Sequence, residues 1–583
     1  MKNVKRRTSP KAQPAAPESP AAPGGLKVWH VLVGLLIAAF FLAEVYQPAI
    51  RGPFLFDDNY LPFAQPDYKD FPLRDWLIGA RPTLMFSYWL NYQASGSDPF
   101  TYHVANVFLH LLNGLLIFFA VRRILSRVSE VAWARELMAA FSGAVFLLHP
   151  LQTEAVAYVA SRSENLSIFL FLASFNVFLY RRAQAISFLE ALAAGILFGG
   201  AVTTKEHTVV LPALLLLTDY YWNPGFSFQG IKRNWRLYLP VVVIGAMALS
   251  FLWRILGESD TAGFRLEGLP WYLYLATQGK VIWIYLRMFL LPFGQNVDHN
   301  YPMVTSLADP FAIIGLAALL AAVVLAWLWR RRYPLASYGT LVFLLLLAPT
   351  SSVVPIRDAL VERRLYLPMI GLLFILSDLL LRWRAGRRAI AATLAGVAVV
   401  AGLLAFNRAQ AWAGPVELWT DAVTKAPDNP RAQFQLAFAY FAEQRCSEAV
   451  DQFAKVAELQ EPDYRLLVDW GLAYDCASRP AEALAKLQQA AALEQTAHVY
   501  ALIGMMQAKQ GWNDVALESL ATAEQTNPRF AVTYFNRGNI FVSTGKDREA
   551  IAEYEKAIAR DPDLAAAARA AQSARQRLAG QAR

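Results

Sequence analysis

Charged side chains are scarce in this chain. They make up 17% of its 583 residues, whereas 56% are hydrophobic, and an ordinary soluble domain is about 25% charged. So few charges exclude a protein that is water-soluble throughout. Apolar runs close to the ~20 residues that cross a bilayer recur between Val31 and Phe406. We therefore predict an integral membrane protein, in contact with a lipid bilayer over most of its length, with a water-soluble tail.

Cysteine is also scarce. Cys446 and Cys476 are the only two in the sequence, and no cluster of cysteine and histidine has the spacing of a zinc site. Each cysteine lies near the turn between the two helices of adjacent sequence repeats, which are described below. Outside the cytoplasm, two thiols placed in this way can form a disulfide. The sequence leaves open whether they pair or are two unrelated buried side chains.

Positive charge exceeds negative charge, with 54 Lys and Arg against 45 Asp and Glu and a net charge of +9. Such an excess can indicate nucleic-acid binding, but here the cations cluster in short connections between apolar runs. That distribution is typical of loops on the cytoplasmic side of a membrane, so we expect no nucleic-acid partner. The predicted cytoplasmic clusters are Arg122, Arg123 and Arg127; Arg181 and Arg182; Lys232, Arg233 and Arg236; Arg330 to Arg332; and Arg382, Arg384, Arg387 and Arg388.

The alternation of these clusters across the bilayer predicts eleven membrane spans. The segment from Trp271 to Leu291 is apolar enough to cross, but a crossing there would move the Arg330 to Arg332 cluster outside. Because the segment carries Lys280 and Arg287, we predict a helix along the outer interface instead. An odd number of spans puts the tail outside. The predicted spans are residues 29–49, 104–121, 137–157, 166–180, 186–202, 208–221, 237–256, 311–329, 336–350, 366–381 and 389–406.

The predicted fold is all-α, with a polytopic helical body followed by a C-terminal α-solenoid. Residues 1–28 contain six cations and several prolines and cannot bury enough apolar surface to fold. We expect them to form a disordered basic cytoplasmic leader that is not cleaved. The other predicted boundaries are 29–406 for the transmembrane domain, 407–429 for a linker with a half-repeat, 430–563 for four repeats, and 564–583 for a capping helix and tail.

Small residues in the tail recur at intervals of 33 or 34 residues. This is the period of the tetratricopeptide repeat, in which small side chains let the two helices of a unit approach closely. Arrays of such repeats form concave surfaces that bind peptides or proteins, and the sequence leaves open whether this one binds a partner or serves oligomerisation. The recurring positions are Ala437, Gly471, Gly504 and Gly538, and, with the same steps, Ala449, Ala483, Ala516 and Ala550.

Ionisable residues at the edge of a membrane are costly, so they are functional candidates by default. Five compact polar motifs fall in loops predicted to face outward, although each motif taken singly is more typical of a structural ion pair or a headgroup anchor. Acids in the first loop and cations in later loops suit a phosphate-bearing electrophile and a nucleophile that loses a proton. The motifs are "FDD" with Asp57 and Asp58, followed by Arg81 and by "YHVANVFLH" with His103; "HPLQTEAVAYVASRSEN" with Glu154, Arg162 and Glu164; "TTKEH" with Lys205, Glu206 and His207; "LPFGQNVDHNYP"; and "VERRLYLP" with Glu362, Arg363 and Arg364.

The order of these motifs, ending in a tetratricopeptide array, resembles the transmembrane and tetratricopeptide-repeat O-mannosyltransferases over nearly all of the chain beyond the leader. The specific strings are "HPLQTEAVAYVASR" and "ERRLYLP". Those proteins are glycosyltransferases of the GT-C class. The resemblance implies transfer of a sugar, with inversion, from a polyprenyl-phosphate donor to Ser or Thr of a protein or peptide acceptor held by the repeats. The short loops and compact tail of this chain are more typical of a bacterial member, for which we expect an inner-membrane protein with its catalytic loops and repeats in the periplasm.

The resemblance assigns roles to the polar residues. An acid of the first outer loop acts as general base in this class, which points to Asp57 or Asp58. Because adjacent residues of an extended segment point to opposite sides, one acid is expected to face the site and the other to brace the loop, with Asp58 slightly preferred as the base. Arg363 is the first candidate to bind the donor phosphate. The further phosphate candidates are Arg364, Lys205, Arg162 and Lys280.

Other residues are expected to support the site. Glu154, Glu164 and Glu206 are expected to position sugar hydroxyls or to pair with the cations. The remaining support candidates are His207, Glu362, Arg81 and His103, of which His103 is equally consistent with a packing histidine. A divalent cation is an alternative use of the acid pair, because Asp57, Asp58 and a third carboxylate can hold Mg²⁺ or Mn²⁺ through oxygen ligands. The metal is left unassigned.

Two other functions compete with the glycosyltransferase. A membrane scaffold would use the repeats to recruit envelope partners, with the loop charges merely interfacial. A transporter would need polar groups along mid-span or facing inward, whereas the polar motifs of this sequence lie at the predicted outward ends of the spans.

Overall fold

A computed structural model describes residues 26–65, 71–259 and 261–581 of the chain. Most of the predicted leader, up to residue 25, lies outside these ranges. The chain divides into two compact units, Met1–Gly414 and Pro415–Arg583, here called the membrane unit and the repeat unit. The part of the chain that the structure describes is helical and contains no β-strand, so the predicted all-α fold is confirmed.

Within the described residues, the membrane unit contains sixteen α-helices. They are α1 (Val28–Ile50), α2 (Leu73–Trp76), α3 (Pro82–Ser95), α4 (Pro99–Leu125), α5 (Ala132–Leu148), α6 (Thr153–Ala157), α7 (Arg162–Leu179), α8 (Phe188–Val202), α9 (Leu211–Trp222), α10 (Gln229–Arg233), α11 (Trp235–Glu258), α12 (Trp271–Leu290), α13 (Pro310–Trp329), α14 (Pro334–Leu347), α15 (Met369–Leu381) and α16 (Arg387–Gln410). Helix α4 packs against α1, α5 and α7, and α1 also packs against α16.

Five of these helices, α1, α4, α11, α13 and α16, are long and apolar enough to cross a bilayer. The apolar helices α8, α14 and α15 are shorter. Together they support a multi-pass membrane protein, and the total of eleven spans stays a prediction.

The predicted span at residues 137–157 is not one continuous helix. Helix α5 ends at Leu148, and a short 3₁₀ turn at Pro150–Gln152 separates it from α6. Pro150 causes the break, because its ring lacks the amide hydrogen of a continuing helix and clashes with the preceding turn. Residues 149–161 therefore form a separate segment of short helical turns between α5 and α7.

Helix α12, predicted to lie along the outer interface, packs closely against α13. A Cβ atom added at Gly279 would lie 3.1 Å from the carbonyl oxygen of Ala312, and one at Gly315 would collide with the carbonyl oxygen of Gly279. Glycine is therefore needed on both helices for this approach. Of the charged side chains of α12, Arg287 is exposed, and Lys280, near the middle of the helix, pairs with Asp309 at 3.3 Å. The position of α12 relative to a bilayer stays a prediction.

The repeat unit begins with helix α17 (Pro415–Lys425) and continues as four antiparallel helix pairs. The pairs are α18 (Pro430–Ala442) with α19 (Cys446–Leu459), α20 (Tyr464–Cys476) with α21 (Pro480–Leu493), α22 (Ala497–Lys509) with α23 (Asn513–Thr526), and α24 (Ala531–Ser543) with α25 (Asp547–Arg560); α26 (Ala565–Gln581) follows them.

The predicted small positions lie where the paired helices touch. A Cβ atom at Gly471 would lie 3.0 Å from the Leu487 side chain, and one at Gly504 would lie 2.8 Å from Leu520. Cys446 and Cys476, which are half-buried, form a disulfide between the first and second pairs, with their Cα atoms 5.5 Å apart.

Candidate active site

The acid pair lies on a short 3₁₀ turn, Phe56–Tyr60, directly after α1. Phe56 has a φ of +49°, which is unfavourable for a side chain other than glycine and is frequent at functional sites. The turn separates the two acids. Asp58 is fully buried, whereas Asp57 is exposed.

Asp58 holds the turn in place. One carboxylate oxygen, Oδ2, accepts a hydrogen bond from the backbone N–H of Leu55 at 3.1 Å, and Oδ1 accepts one from the N–H of Ala160 at 2.6 Å. Burial raises the pKa of Asp58 to about 7, although these N–H groups oppose the shift. Both oxygens of Asp58 are therefore bound by the backbone, whereas the Asp57 side chain is exposed.

Tyr158 contacts the acid pair from the segment that follows α5. Its hydroxyl oxygen accepts a hydrogen bond from the backbone N–H of Asp57 at 3.0 Å. Its ring is nearly buried and lies 5.7 Å, centroid to centroid, from the ring of Trp412. Burial and the negative charges of Asp57 and Asp58 raise the pKa of Tyr158, so the hydroxyl stays protonated.

Arg363 approaches the same segment from a 3₁₀ turn, Glu362–Leu365. Its backbone N–H donates a hydrogen bond to Oε2 of Glu154 at 3.1 Å, and its guanidinium forms an ion pair with Oε1 of the same carboxylate. Glu154 is buried, but the Arg363 side chain keeps 33% of its surface exposed. Arg363 is therefore held rigidly while one part of it stays accessible.

Two further ion pairs lie beside Arg363. The buried Glu164 pairs with Lys205 and lies 3.5 Å from Nε2 of His207. Arg81 donates two hydrogen bonds to Glu206, at 2.8 and 3.0 Å. Burial lowers the pKa of Lys205, and the charge of Glu164 only partly opposes this.

These groups form one continuous cluster. Tyr158 interacts electrostatically with both Asp57 and Arg363. Arg363 in turn interacts with Glu164, and Lys205 interacts with both Arg81 and Arg363. The acid turn, the segment after α5, the "TTKEH" connection and the "VERRLYLP" turn therefore meet in space. We call this set of residues the polar cluster: Asp57, Asp58, Arg81, Glu154, Tyr158, Glu164, Lys205, Glu206, His207 and Arg363.

Several predicted site residues lie outside the polar cluster or are committed elsewhere. Arg162 is buried and donates to Asn106 Oδ1 at 3.0 Å and Asn91 Oδ1 at 2.9 Å, and its guanidinium lies 4.7 Å from the ring centroid of Tyr88. Because these groups enclose it, Arg162 cannot reach a phosphate. Lys280 is bound to Asp309 on the α12–α13 pair.

The other three predicted site residues, Arg364, Glu362 and His103, are hydrogen-bonded to or packed within neighbouring parts of the protein. Arg364 donates to the carbonyl oxygens of Asp358 at 2.7 Å and Ala359 at 3.0 Å. Glu362 is buried and accepts hydrogen bonds from Asn296 N–H at 2.6 Å and Gln295 at 3.1 Å, and it also contacts His299 at 2.9 Å. It thereby joins the fourth motif to the fifth. His103 is buried within α4, as expected of a packing histidine.

Parts of this chain are similar in sequence to known proteins. Residues 531–564 match the tetratricopeptide repeat family. The protein O-mannosyl-transferase F38B6.6 of Caenorhabditis elegans is 20% identical over 368 residues, covering 61% of this chain and 50% of that protein. The human protein O-mannosyl-transferase TMTC4 is 24% identical over 479 residues, covering 70% of this chain and 63% of that protein. This chain resembles the protein O-mannosyl-transferases. The resemblance predicted from the motifs is thus confirmed.

The match to these O-mannosyl-transferases is partial. The chain spans half the length of F38B6.6 and 15% of the length of Drosophila melanogaster Tmtc1, to which it is 32% identical over 136 residues. Among solved structures, the tetratricopeptide-repeat protein YrrB is 23% identical and covers 31% of this chain, with a TM-score of 0.24.

Sequence reasoning missed Tyr158 and Trp412. Tyr158 belongs to the motif "HPLQTEAVAYVASRSEN". The sequence candidates in this motif are charged residues, and Tyr158 is not charged, so the sequence did not single it out. Trp412 lies just beyond α16 in the predicted linker, and only the fold shows that it reaches Tyr158.

The divalent cation considered as an alternative use of the acid pair has no located site among the described residues. Within residues 26–65, 71–259 and 261–581, no three His, Cys, Asp or Glu side chains are grouped as ligands for a metal. The oxygens of Asp58 are engaged by backbone N–H groups, so the acid pair does not fit the proposed shared coordination. A role for Mg²⁺ or Mn²⁺ stays untested, and the described residues suggest no set of protein ligands for either ion.

Proposed function

We propose that this protein is an inverting GT-C-type glycosyltransferase of a bacterial inner membrane, with the polar cluster and the repeats in the periplasm. It transfers a hexose from a polyprenyl-phosphate donor to a Ser or Thr hydroxyl of a protein that the repeats hold. The observation that carries this proposal is the polar cluster, which combines an exposed carboxylate, Asp57, with a rigidly held, accessible cation, Arg363. The named activity of the similar proteins supports the same reaction class.

Asp57 is the general base of the proposed reaction. The acceptor hydroxyl oxygen attacks the anomeric carbon, its proton passes to the Asp57 carboxylate, and the bond from the anomeric carbon to the phosphate oxygen breaks. The lipid phosphate leaves with that electron pair. A carboxylate acts in this way only when its position is fixed, and the hydrogen bonds of Asp58 to Leu55 and Ala160 fix the turn.

Arg363 stabilises the charge that develops on the departing phosphate. A guanidinium binds phosphate oxygens in a bidentate manner, and Glu154 keeps the group oriented without covering it. Lys205 is the second cation within electrostatic reach. Cations placed before the reaction cost no reorganisation when the charge appears.

The test measures transfer of labelled sugar from polyprenyl-phosphate mannose to a Ser/Thr-containing peptide by membranes that contain the full chain. Asp57→Asn is expected to lower turnover by about 10² to 10⁴ without changing the amount of inserted protein. The control, Asp75→Asn, alters an acid of the same loop region that pairs with its neighbour Arg74 and should be unchanged. Full transfer by Asp57→Asn would refute the assignment of the base.

A membrane scaffold is the second candidate, favoured by the four helix pairs of the repeat unit. It predicts the opposite pattern in a cellular assay of envelope glycoproteins by mass spectrometry. Deletion of residues 430–583 would then abolish function, whereas Asp57→Asn would not.

A further inference from the structure

A cavity lies at the start of α5, whereas the polar cluster lies beyond the end of this helix. It has a volume of about 410 Å³ and lies between the α4–α5 connection, the start of α14 and the α15–α16 connection. These connections carry or adjoin three of the basic clusters that predict the cytoplasmic face. We call it the basic cavity, and nothing in the proposed reaction uses it.

The floor of the basic cavity is apolar. Met138, Leu381 and Ile390 line it, together with the indole rings of Trp133 and Trp383. Tryptophan is enriched at the depth of lipid headgroups, where one end of the ring is apolar and the other is wet. A soluble phosphate compound would be poorly matched by such a floor, whereas the glycerol backbone and upper acyl chains of a lipid match it.

Two arginines lie next to residues that line the basic cavity, without lining it themselves. The Arg387 guanidinium lies 5.7 Å from the ring centroid of Trp133, and Arg135 donates to the carbonyl oxygen of Ser129, another lining residue, at 3.2 Å. Among the residues that the structure describes, neither arginine forms an ion pair with a carboxylate. In addition, the Nε atom of Arg135 is buried without a hydrogen-bond partner.

The lining carboxylate does not cancel this charge. Asp378 forms an ion pair with Arg382 at 3.0 Å and accepts a hydrogen bond from the backbone N–H of Ala336 at 3.1 Å. Asp378 and Arg382 therefore neutralise each other, which leaves the positive charges of Arg135 and Arg387 for a ligand. A basic pocket between helices at the cytoplasmic surface is a typical site for an anionic lipid headgroup.

We propose that the basic cavity binds the headgroup of an anionic phospholipid from the cytoplasmic leaflet. The phosphate contacts Arg135 and Arg387, and the glycerol backbone and acyl chains lie against Trp133 and Trp383. This inference depends on the predicted membrane orientation and is independent of the proposed reaction.

Native mass spectrometry of the full-length protein with dioleoylphosphatidylglycerol tests the proposal. The wild type should retain at least one molecule of this lipid in preference to dioleoylphosphatidylcholine. In Arg135→Gln/Arg387→Gln, affinity should fall by roughly fivefold for each arginine removed. The matched control, Arg233→Gln/Arg236→Gln, removes two exposed arginines from another predicted cytoplasmic loop and should bind as the wild type does.

Three results would overturn the proposal: equal retention of the two lipids by the wild type, unchanged binding by the cavity variant, or an equal loss in the control. Displacement by glycerol 3-phosphate at matched concentration would show that a free phosphate suffices, and would overturn the assignment to a lipid. If the double variant does not fold, Arg387→Gln alone serves, because the Arg387 side chain is exposed and the Arg382–Asp378 pair remains intact.

Discussion

The hydroxyl of Tyr158 and the backbone N–H of Asp57 are joined by a hydrogen bond of 3.0 Å, although 101 residues separate them in the sequence. The Tyr158 ring is itself packed against Phe56 and Trp412. The orientation of the exposed acid therefore depends on an aromatic side chain that takes no part in proton transfer.

Tyr158→Phe should lower the rate of sugar transfer by roughly fivefold to tenfold, because one hydrogen bond of ordinary strength that fixes Asp57 is lost. The phenyl ring keeps the packing, so expression and KM for the donor should change little. The control is Tyr221→Phe, which removes a hydroxyl bonded to Ser337 at 2.8 Å elsewhere in the membrane unit. Equal rates for Tyr158→Phe and the wild type would show that the Tyr158 hydroxyl is dispensable.

Asp58 should make the protein less stable as pH rises. Burial raises its pKa to about 7 in the folded protein, against about 3.9 in an unfolded chain. The folded state thus holds this proton more tightly, so the stabilisation is complete below the unfolded pKa and is lost as pH rises through about 7.

The loss amounts to at most about 4 kcal/mol of unfolding free energy. Thermal unfolding of the purified protein should show a Tm that falls between about pH 5 and about pH 8. Asp58→Asn should flatten that part of the profile, and Asp75→Asn should not. A profile identical in wild type and Asp58→Asn would contradict the burial-driven shift.

Arg363→Gln should lower kcat by about 10² to 10³, the usual cost of removing one preplaced stabiliser of transition-state charge. Because this change also leaves Glu154 buried without its cation, Arg363→Lys is measured beside it. Lysine keeps the charge but not the fork of donors, and should recover part of the rate.

The matched control is Arg357→Gln, an exposed arginine a few residues earlier, which should transfer sugar as the wild type does. Size-exclusion chromatography checks that each variant is folded. Wild-type turnover in folded Arg363→Gln would remove this residue from the proposed phosphate site.

Reduction of the disulfide should destabilise the repeat unit. Cys446 and Cys476 are 30 residues apart, and a cross-link that closes a loop of this length contributes about 3 to 4 kcal/mol in the chain-entropy account. Cys446→Ser/Cys476→Ser should lower the Tm and speed proteolysis of the tail. In intact cells, both thiols should resist a maleimide label until a reductant is added; labelling without reductant would place them in a reducing compartment.

The period of the repeat unit and its small residues could be predicted from the sequence. Its period is set by local contacts, such as Gly471 with Leu487 and Gly504 with Leu520, which recur in every unit and so leave a pattern in the sequence. The sequence also predicts that five polar motifs share the outward face, because ionisable groups near a bilayer need a polar environment; residues of four of these motifs meet in the polar cluster.

The roles within the site could not be predicted in the same way. The choice between Asp57 and Asp58 assumed an extended segment, whereas the chain makes a 3₁₀ turn that buries Asp58. The sequence makes Arg162 a candidate phosphate ligand. Its enclosure by Tyr88 and Asn106 could not be predicted, because these residues come from helices distant in sequence. Such contacts are tertiary and leave no local periodicity.

The ion pair between Glu154 and Arg363 links residues 209 positions apart, and Arg363 is followed in the membrane unit by only α15 and α16. A nascent chain therefore carries Asp57 long before it acquires Arg363. If the proposed reaction needs both residues, we expect translation products that stop short of Arg363 to be inactive in the bilayer.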